Sequence, residues 1–224
     1  MRVLRSCFDD FDALHTVARL SGGASQETYK IEFSKGGKPF TIAMRRSPGG
    51  EYENPDPGRP GLIAEARLMQ IARGLGVPEP EVYRVLTLED DLGAGFIMEW
   101  LDGETIGSKI LKSAELADIR PRLARECGQI LARIHGIDPA EYGLTQMLST
   151  VTTEAFIFKM WEEYKSYRSP QPMIDYTARW LLTHIQPEGE PRLVHNDFRN
   201  GNLMVTSAGI NAVLDWEVAH LGDP

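Results

Sequence analysis

The sequence predicts an α+β protein in two parts, a strand-rich stretch to about residue 101 and a mainly helical one from 102 to 224. Three observations carry that prediction. Short alternating runs cut by glycine and proline turns fill the first hundred residues. Residues 114–136 instead repeat apolar side chains at the helical period. Near the end a polar run, His195–Asn202, follows a short apolar segment, as a loop fed by a strand would.

Thr16–Leu20 and Thr28–Phe33 alternate as two strands, joined through the small residues Ser21-Gly22-Gly23-Ala24-Ser25. Gly36-Gly37 supplies the positive φ angles of a hairpin turn into a third strand, Phe40–Arg45. Residues 47–61 hold four prolines and four glycines and predict a mobile loop. A helix follows from Gly61, with Leu62, Ala66, Met69 and Leu75 near helical spacing, closing at Gly74 and Gly76. Pro78 and Pro80 mark its exit. Val82–Leu88 and Gly95–Leu101 read as two more strands about the turn Glu89–Leu92, which completes a five-stranded sheet with one helix.

Asp102-Gly103 is a break. Helices are expected over about 114–136, 152–168 and 171–186. Trp161, Tyr164 and Tyr167, three residues apart, suggest a core or interhelix contact. Arg192–Val194 reads as a short strand, and Leu203–Thr206 with Ile210–Leu214 as a hairpin that ends at Asp215.

The net charge of −8, with Arg45–Arg46 as the one local basic cluster, argues against a nucleic-acid surface. No apolar run approaches the roughly 20 residues that span a bilayer, and residues 1–20 are too acidic for a signal peptide, so no membrane partner is expected. Cys7 and Cys127 are too few and too far apart for a disulfide framework or a zinc site, which points to the cytoplasm. The sequence stops at Gly222-Asp223-Pro224, a loop-like tripeptide after a strand, and is expected to be part of a longer protein.

Phosphoryl transfer needs a carboxylate to orient the accepting hydroxyl and oxygen ligands for the cation on the nucleotide phosphates. His195-Asn196-Asp197-Phe198-Arg199-Asn200-Gly201-Asn202, followed thirteen residues later by Asp215 at a hairpin end, supplies that set. Asp197 is the expected base, and Asn202 and Asp215 the expected Mg²⁺ ligands. Arg199 would aim a cation at the transferring phosphate, and His195 would brace the loop by hydrogen bonding.

Leu193–Asn202, Val213-Leu214-Asp215-Trp216-Glu217 and Gly222-Asp223-Pro224 together resemble the signature of the aminoglycoside phosphotransferase/choline kinase family. Ser21–Tyr29 with Met44-Arg45-Arg46 resembles the branch related to the kinase-like domains of acyl-CoA dehydrogenase family members 10 and 11. The resemblance runs from about residue 8 to the end. It implies a bilobal protein-kinase-like fold, with an N-lobe over 1–101 and a C-lobe over 102–224 that lacks its last helices. It also implies transfer of the γ-phosphate of ATP, with GTP as the open alternative, to a small-molecule hydroxyl. Gly22, Gly23 and Ser25 would then lie over the phosphates, since glycine lets backbone N–H groups approach oxygen. Arg45 takes the third-strand position where kinases carry lysine, and Glu65 on the next helix would pair with it. Backbone groups of Glu99 and Leu101 would meet the adenine.

Two further classes compete. A nucleotide-binding fragment or interaction module without catalysis would have no working acceptor site. A metal-dependent hydrolase built on His195 and Asp197 is weaker, because the other four histidines show no ligand spacing around it. If apolar surface is left uncovered, a homodimer is a further expectation.

Overall fold

The computed structural model describes residues 1–20, 26–52, 58–187 and 189–224. The chain opens with a helix the sequence reading missed, α1 (Arg2–Cys7), too short to display a period. Its Val3 and Leu4, with Phe8 after it, are buried against the sheet beside Phe33 and Ile42. Then come β1 (Phe11–Arg19), β2 (Glu27–Lys35) and β3 (Lys38–Arg46). β1 starts five residues earlier than its alternation indicated. Gly36 and Gly37, at φ 52° and 72°, make the β2–β3 turn as predicted.

The segment from Ser47 departs from the loose loop expected of its composition. Ser47 is buried, its N–H donating to the Ala94 carbonyl at 2.9 Å, and the Tyr52 hydroxyl donates to the Thr87 carbonyl at 3.1 Å. Two polar anchors and a short 3₁₀ turn at Pro48–Gly50 hold residues 47–52, and residues 53–57 of the predicted loop lie outside the described residues.

Helix α2 (Gly61–Gly74) is buried except along a stripe that runs through the exposed Ile63, Arg67, Gln70 and Gly74, because it lies between the sheet and the second half of the chain. β4 (Val82–Val85) and β5 (Gly95–Glu99) complete an antiparallel sheet of order β1-β2-β3-β5-β4. β4 is shorter than predicted, since Thr87 and Asp90 cap a 3₁₀ turn at Leu88–Asp90.

The second part carries α3 (Gly107–Lys112), α4 (Arg120–His135), α5 (Leu144–Met147), α6 (Thr153–Ser166) and α7 (Pro172–Thr183). α3 and α5 were not anticipated, and α4 starts six residues later than its apolar period suggested, with Pro121 in its first turn. Short strands β6 (Arg192–Val194), β7 (Leu203–Thr206), β8 (Gly209–Val213) and β9 (His220–Gly222) follow. β7 pairs with β8 as predicted; β9, not foreseen, pairs antiparallel with β6.

One core cluster joins the halves, running from Leu68 and Met69 on α2 through Ile130 and Ile134 on α4 to Leu193 and Trp216. Each such fully buried aliphatic side chain contributes roughly 1.5–3 kcal/mol relative to exposure. On α6, the Trp161 indole N–H donates to Asp175 of α7 at 2.8 Å and the Tyr164 hydroxyl donates to the Gln171 carbonyl at 3.2 Å. Those two residues make the predicted interhelix contact, whereas Tyr167 is exposed. Met160, Met173, Ile174 and Leu181 line an open apolar groove of about 410 Å³ between the same helices. Among the described residues no helix is long and apolar enough to cross a membrane.

Candidate active site

The site lies where β3, α2, the loop after β6 and the end of β8 meet. β6 enters the core at Leu193 and delivers His195, which is 1% exposed. The His195 Nδ1 accepts the Asp197 backbone N–H at 3.3 Å, so Nε2 carries the proton and donates to the Leu214 carbonyl at 3.2 Å. Burial holds the imidazole below its ordinary pKa, partly offset by that carbonyl and by Asp197. A neutral ring is what this pair of bonds requires, and His195 thereby ties the loop to the strand end ahead of Asp215.

Within the loop the Asp197 carboxylate is held from both sides. Arg199 Nε donates to Oδ1 at 2.8 Å, and Asn202 Nδ2 donates to Oδ2 at 2.6 Å and to the Asp197 carbonyl at 3.0 Å. Asn202 is buried, so it is the rigid member of the pair; Arg199, with 64% of its side chain exposed, is the movable one. Arg199 is thus folded back onto Asp197. The loop is closed onto the rest by the Gly201 N–H to the Thr105 carbonyl (2.9 Å) and the Leu214 N–H to the Asn202 carbonyl (2.8 Å).

Asn196 and Asp215 both adopt left-handed backbone, at φ 63° and 71°. Such positions cost about 1–3 kcal/mol outside glycine and persist where surroundings over-determine them. Asp215 is over-determined. Arg45 of β3 donates from one guanidinium nitrogen to Glu65 Oε1 and from the other to Asp215 Oδ1, each at 2.7 Å. The pairing expected of Arg45 and Glu65 is present, and the third partner, Asp215, comes from 170 residues further along the chain.

Glu65 is 1% exposed, and burial pushes its carboxyl up to about 7 against the attraction of Arg45. Burial also works against the Arg45 charge, but Glu65 and Asp215 outweigh it and keep the guanidinium protonated. Arg59, just ahead of α2, adds an ion pair of 3.1 Å to Glu217.

Other expected residues stand less fully. Gly22, Gly23 and Ser25 lie outside the described residues. The Glu99 backbone N–H donates to the Glu81 carbonyl at 2.8 Å and is committed to the sheet, while its carboxylate accepts the Glu81 N–H at 3.1 Å. Leu101, two residues after β5, is half-buried. Lys30 of β2 sits 5.1 Å from the ring of Trp100 between them.

Sequence reasoning missed Glu79 and the role of Trp216. Glu79 is buried, and its Oε1 accepts the Trp216 indole N–H at 3.0 Å. The available signal was an acid between two prolines, Pro78-Glu79-Pro80, at the exit of a buried helix.

A strand-fed His-x-Asp loop, a hairpin ending in aspartate and a strand arginine paired to a helix glutamate define a kinase-like phosphotransferase fold. The chain belongs to the phosphotransferase enzyme family, whose model matches residues 16–224. It is 28% identical over 209 residues to acyl-CoA dehydrogenase family member 10 of Mus musculus, covering 90% of this chain and 19% of that protein. It is 26% identical over 218 residues to family member 11 of Gallus gallus, covering 93% of this chain and 26% of that one. The chain therefore spans about a fifth to a quarter of the length of these relatives.

Among solved structures, a candidate aminoglycoside phosphotransferase from Ralstonia eutropha superposes with a TM-score of 0.76 at 27% identity, over 100% of this chain and 65% of that one. The streptomycin–ATP ternary complex of APH(2'')-IIa shares the fold at a TM-score of 0.62 and 16% identity, over 100% of this chain and 72% of that chain.

Proposed function

We propose that the chain is the nucleotide- and metal-binding part of an ATP-dependent kinase that phosphorylates a small-molecule hydroxyl, with the nucleotide held between residues 1–101 and 102–224. The observation that carries the reading is the Arg45 guanidinium spanning Glu65 and Asp215 at 2.7 Å each, beside the Asp197–Asn202 loop. In a nucleotide site that guanidinium meets the α- and β-phosphates, with Glu65 fixing its direction.

The donor set suits a hard cation. Asn202 and Asp215 offer oxygen only, and the described residues contain no group of three or more His, Cys, Asp or Glu that could hold a metal unaided. Mg²⁺ commonly takes one or two protein oxygens and completes its shell with phosphates and water. With the Asn202 amide nitrogen turned to Asp197, its oxygen is the atom left for the cation. When bound there, Mg²⁺ would neutralise charge on the phosphates.

Asp197 orients the acceptor hydroxyl and takes its proton as the oxygen attacks the γ-phosphorus and the bond to the ADP leaving group breaks. Each of its oxygens has a second lone pair beyond the bonds to Arg199 and Asn202, so it can do so without being released by Asn202. Arg199, exposed and hinged on Asp197, can turn to the transferred phosphate. Free thiols at Cys7 and Cys127 suit a cytoplasmic setting.

The test is a thermal-shift titration with ATP and with GTP, each with and without Mg²⁺, on this chain, Asp215→Asn and Asp197→Ala. At a hundredfold excess over Kd the nucleotide should stabilise the chain by about 2.7 kcal/mol. The Mg²⁺-dependent part should vanish in Asp215→Asn and survive in Asp197→Ala. No nucleotide shift in the unsubstituted chain overturns the reading.

A further inference from the structure

Glu79 serves no part of the chemistry above, yet it is a buried acid with one hydrogen bond, its Oε2 without a partner. Burying a polar group without full pairing costs about 1–3 kcal/mol, so an apolar side chain here would be the cheaper solution if packing were the only demand. What the carboxyl holds is Trp216, the fully buried residue directly after Asp215. The same segment reaches the other side of Asp215 as well, because the Pro78 carbonyl accepts the Val213 N–H at 2.8 Å. Asp215 is thus bracketed by two bonds from consecutive residues at the exit of α2, the helix that carries Glu65.

The bracket continues through His195. The Trp216 ring lies 4.6 Å from the His195 ring, and His195 in turn holds the Leu214 carbonyl. Residues 213, 214 and 216 are each fixed by an outside group, which is what keeps the non-glycine residue between them at φ 71°. Arg45 bridges Glu65 and Asp215 from the side of the sheet, and the bonds from Pro78 and Glu79 hold the Asp215 segment from the side of α2. The Pro78-Glu79 segment is the piece of chain that ties α2 to the hairpin at both flanks of Asp215.

We propose that Glu79 is a positioning residue for the metal site: by holding the Trp216 indole it sets Asp215 in the orientation that meets a cation on the bound nucleotide. The proposal rests on the kinase reading above. Burial raises the Glu79 carboxyl well above its ordinary range, and glutamine keeps an acceptor oxygen for the Trp216 indole N–H in the same place. Groups placed behind a metal ligand commonly change metal affinity 10–100-fold when removed. Glu79 stands one residue further back, so the lower end, about tenfold, is expected.

The experiment is calorimetric titration of ATP, with and without Mg²⁺, into this chain, Glu79→Gln, Glu79→Leu, Trp216→Phe and the Glu79→Leu/Trp216→Phe pair. Trp216→Phe removes the N–H together with part of the buried indole but keeps an aromatic ring, and it leaves Glu79 in place, so it remains informative if the leucine variant does not fold. The expected result is about tenfold weaker Mg²⁺·ATP binding in Trp216→Phe and Glu79→Leu, with metal-free ATP binding unchanged. Glu79→Gln should match the parent, and the double variant should be no worse than either single one. Equal weakening with and without Mg²⁺ would mark a general packing role and overturn the proposal, as would parent-like Mg²⁺·ATP binding in Trp216→Phe. If the unsubstituted chain shows no Mg²⁺-dependent binding, the kinase reading fails first and this proposal with it.

Discussion

Replacing Glu65 with glutamine should flatten the pH dependence of stability between pH 5 and pH 8. Glu65, on α2, is buried against Arg45 of β3 and Trp216, and burial brings its carboxyl to about 7, against an ordinary value of 4.5. Between those two values the folded chain keeps a proton that the unfolded chain has released. The folded state then binds more protons, so stability falls as pH rises through the window. The contribution is complete below about 4.5 and lost above about 7. At about 1.4 kcal/mol per pH unit the gap is worth roughly 3 kcal/mol, of which about 2.5 falls between pH 5 and 8.

Glutamine has no proton to lose, so it should leave the chain about as stable as the parent at pH 5 and about 2–3 kcal/mol more stable at pH 8. Glu79 is shifted in the same direction and His195 in the opposite one, which is why the difference between the two proteins is the quantity to follow. Urea unfolding of both at four pH values across the window gives that difference directly. Parallel curves would refute the reasoning. They would mean that Arg45 holds Glu65 ionised in the folded chain and that its attraction outweighs burial.

Gly95→Ala should cost about 1–3 kcal/mol in urea unfolding, because a Cβ there would sit 2.4 Å from the Arg45 carbonyl oxygen and 2.9 Å from the Arg46 Cα. Gly128→Ala, in the middle of α4 with nothing within 4 Å of the added atom, should instead stabilise by about 0.5–1 kcal/mol. Nitrogen-detected NMR of His195 should find the proton on Nε2 at neutral pH. Because burial depresses this imidazole below 6.5, its contribution to stability is present above about 6.5 and declines as pH falls and the unfolded chain takes up the proton. A His195 found protonated on Nδ1, or on both nitrogens at pH 7, would contradict the bond pattern around Asp197.

Much of the sheet and nearly all of the loop at 195–202 were legible in the residues. Gly36-Gly37 demanded a tight turn, the 62–69 spacing demanded a helix, and the apolar run 203–205 with its partner across Ala208-Gly209 demanded a hairpin. These signals are local, written in φ preference and in the period with which apolar side chains recur. α1, α3 and α5 were not legible because four to six residues hold too little of a period, and their stability comes from the cores they cap. The three-residue strand β9 is defined only by its partner β6, which lies more than 25 residues earlier.

For the site, the sequence by itself determined the chemical inventory: a carboxylate, an amide and a second carboxylate at loop spacing, with an arginine on one strand and a glutamate on one helix. It could not determine that Arg45 reaches Asp215 as well as Glu65, that Arg199 folds back on Asp197, or that Glu79 holds Trp216. Those contacts join residues up to 170 positions apart, and one of them holds an acid in a buried position. Residue type sets what a group can donate or accept. The partner it finds, and the burial that moves its proton affinity, depend on which distant segments pack around it, and only the tertiary structure decided that.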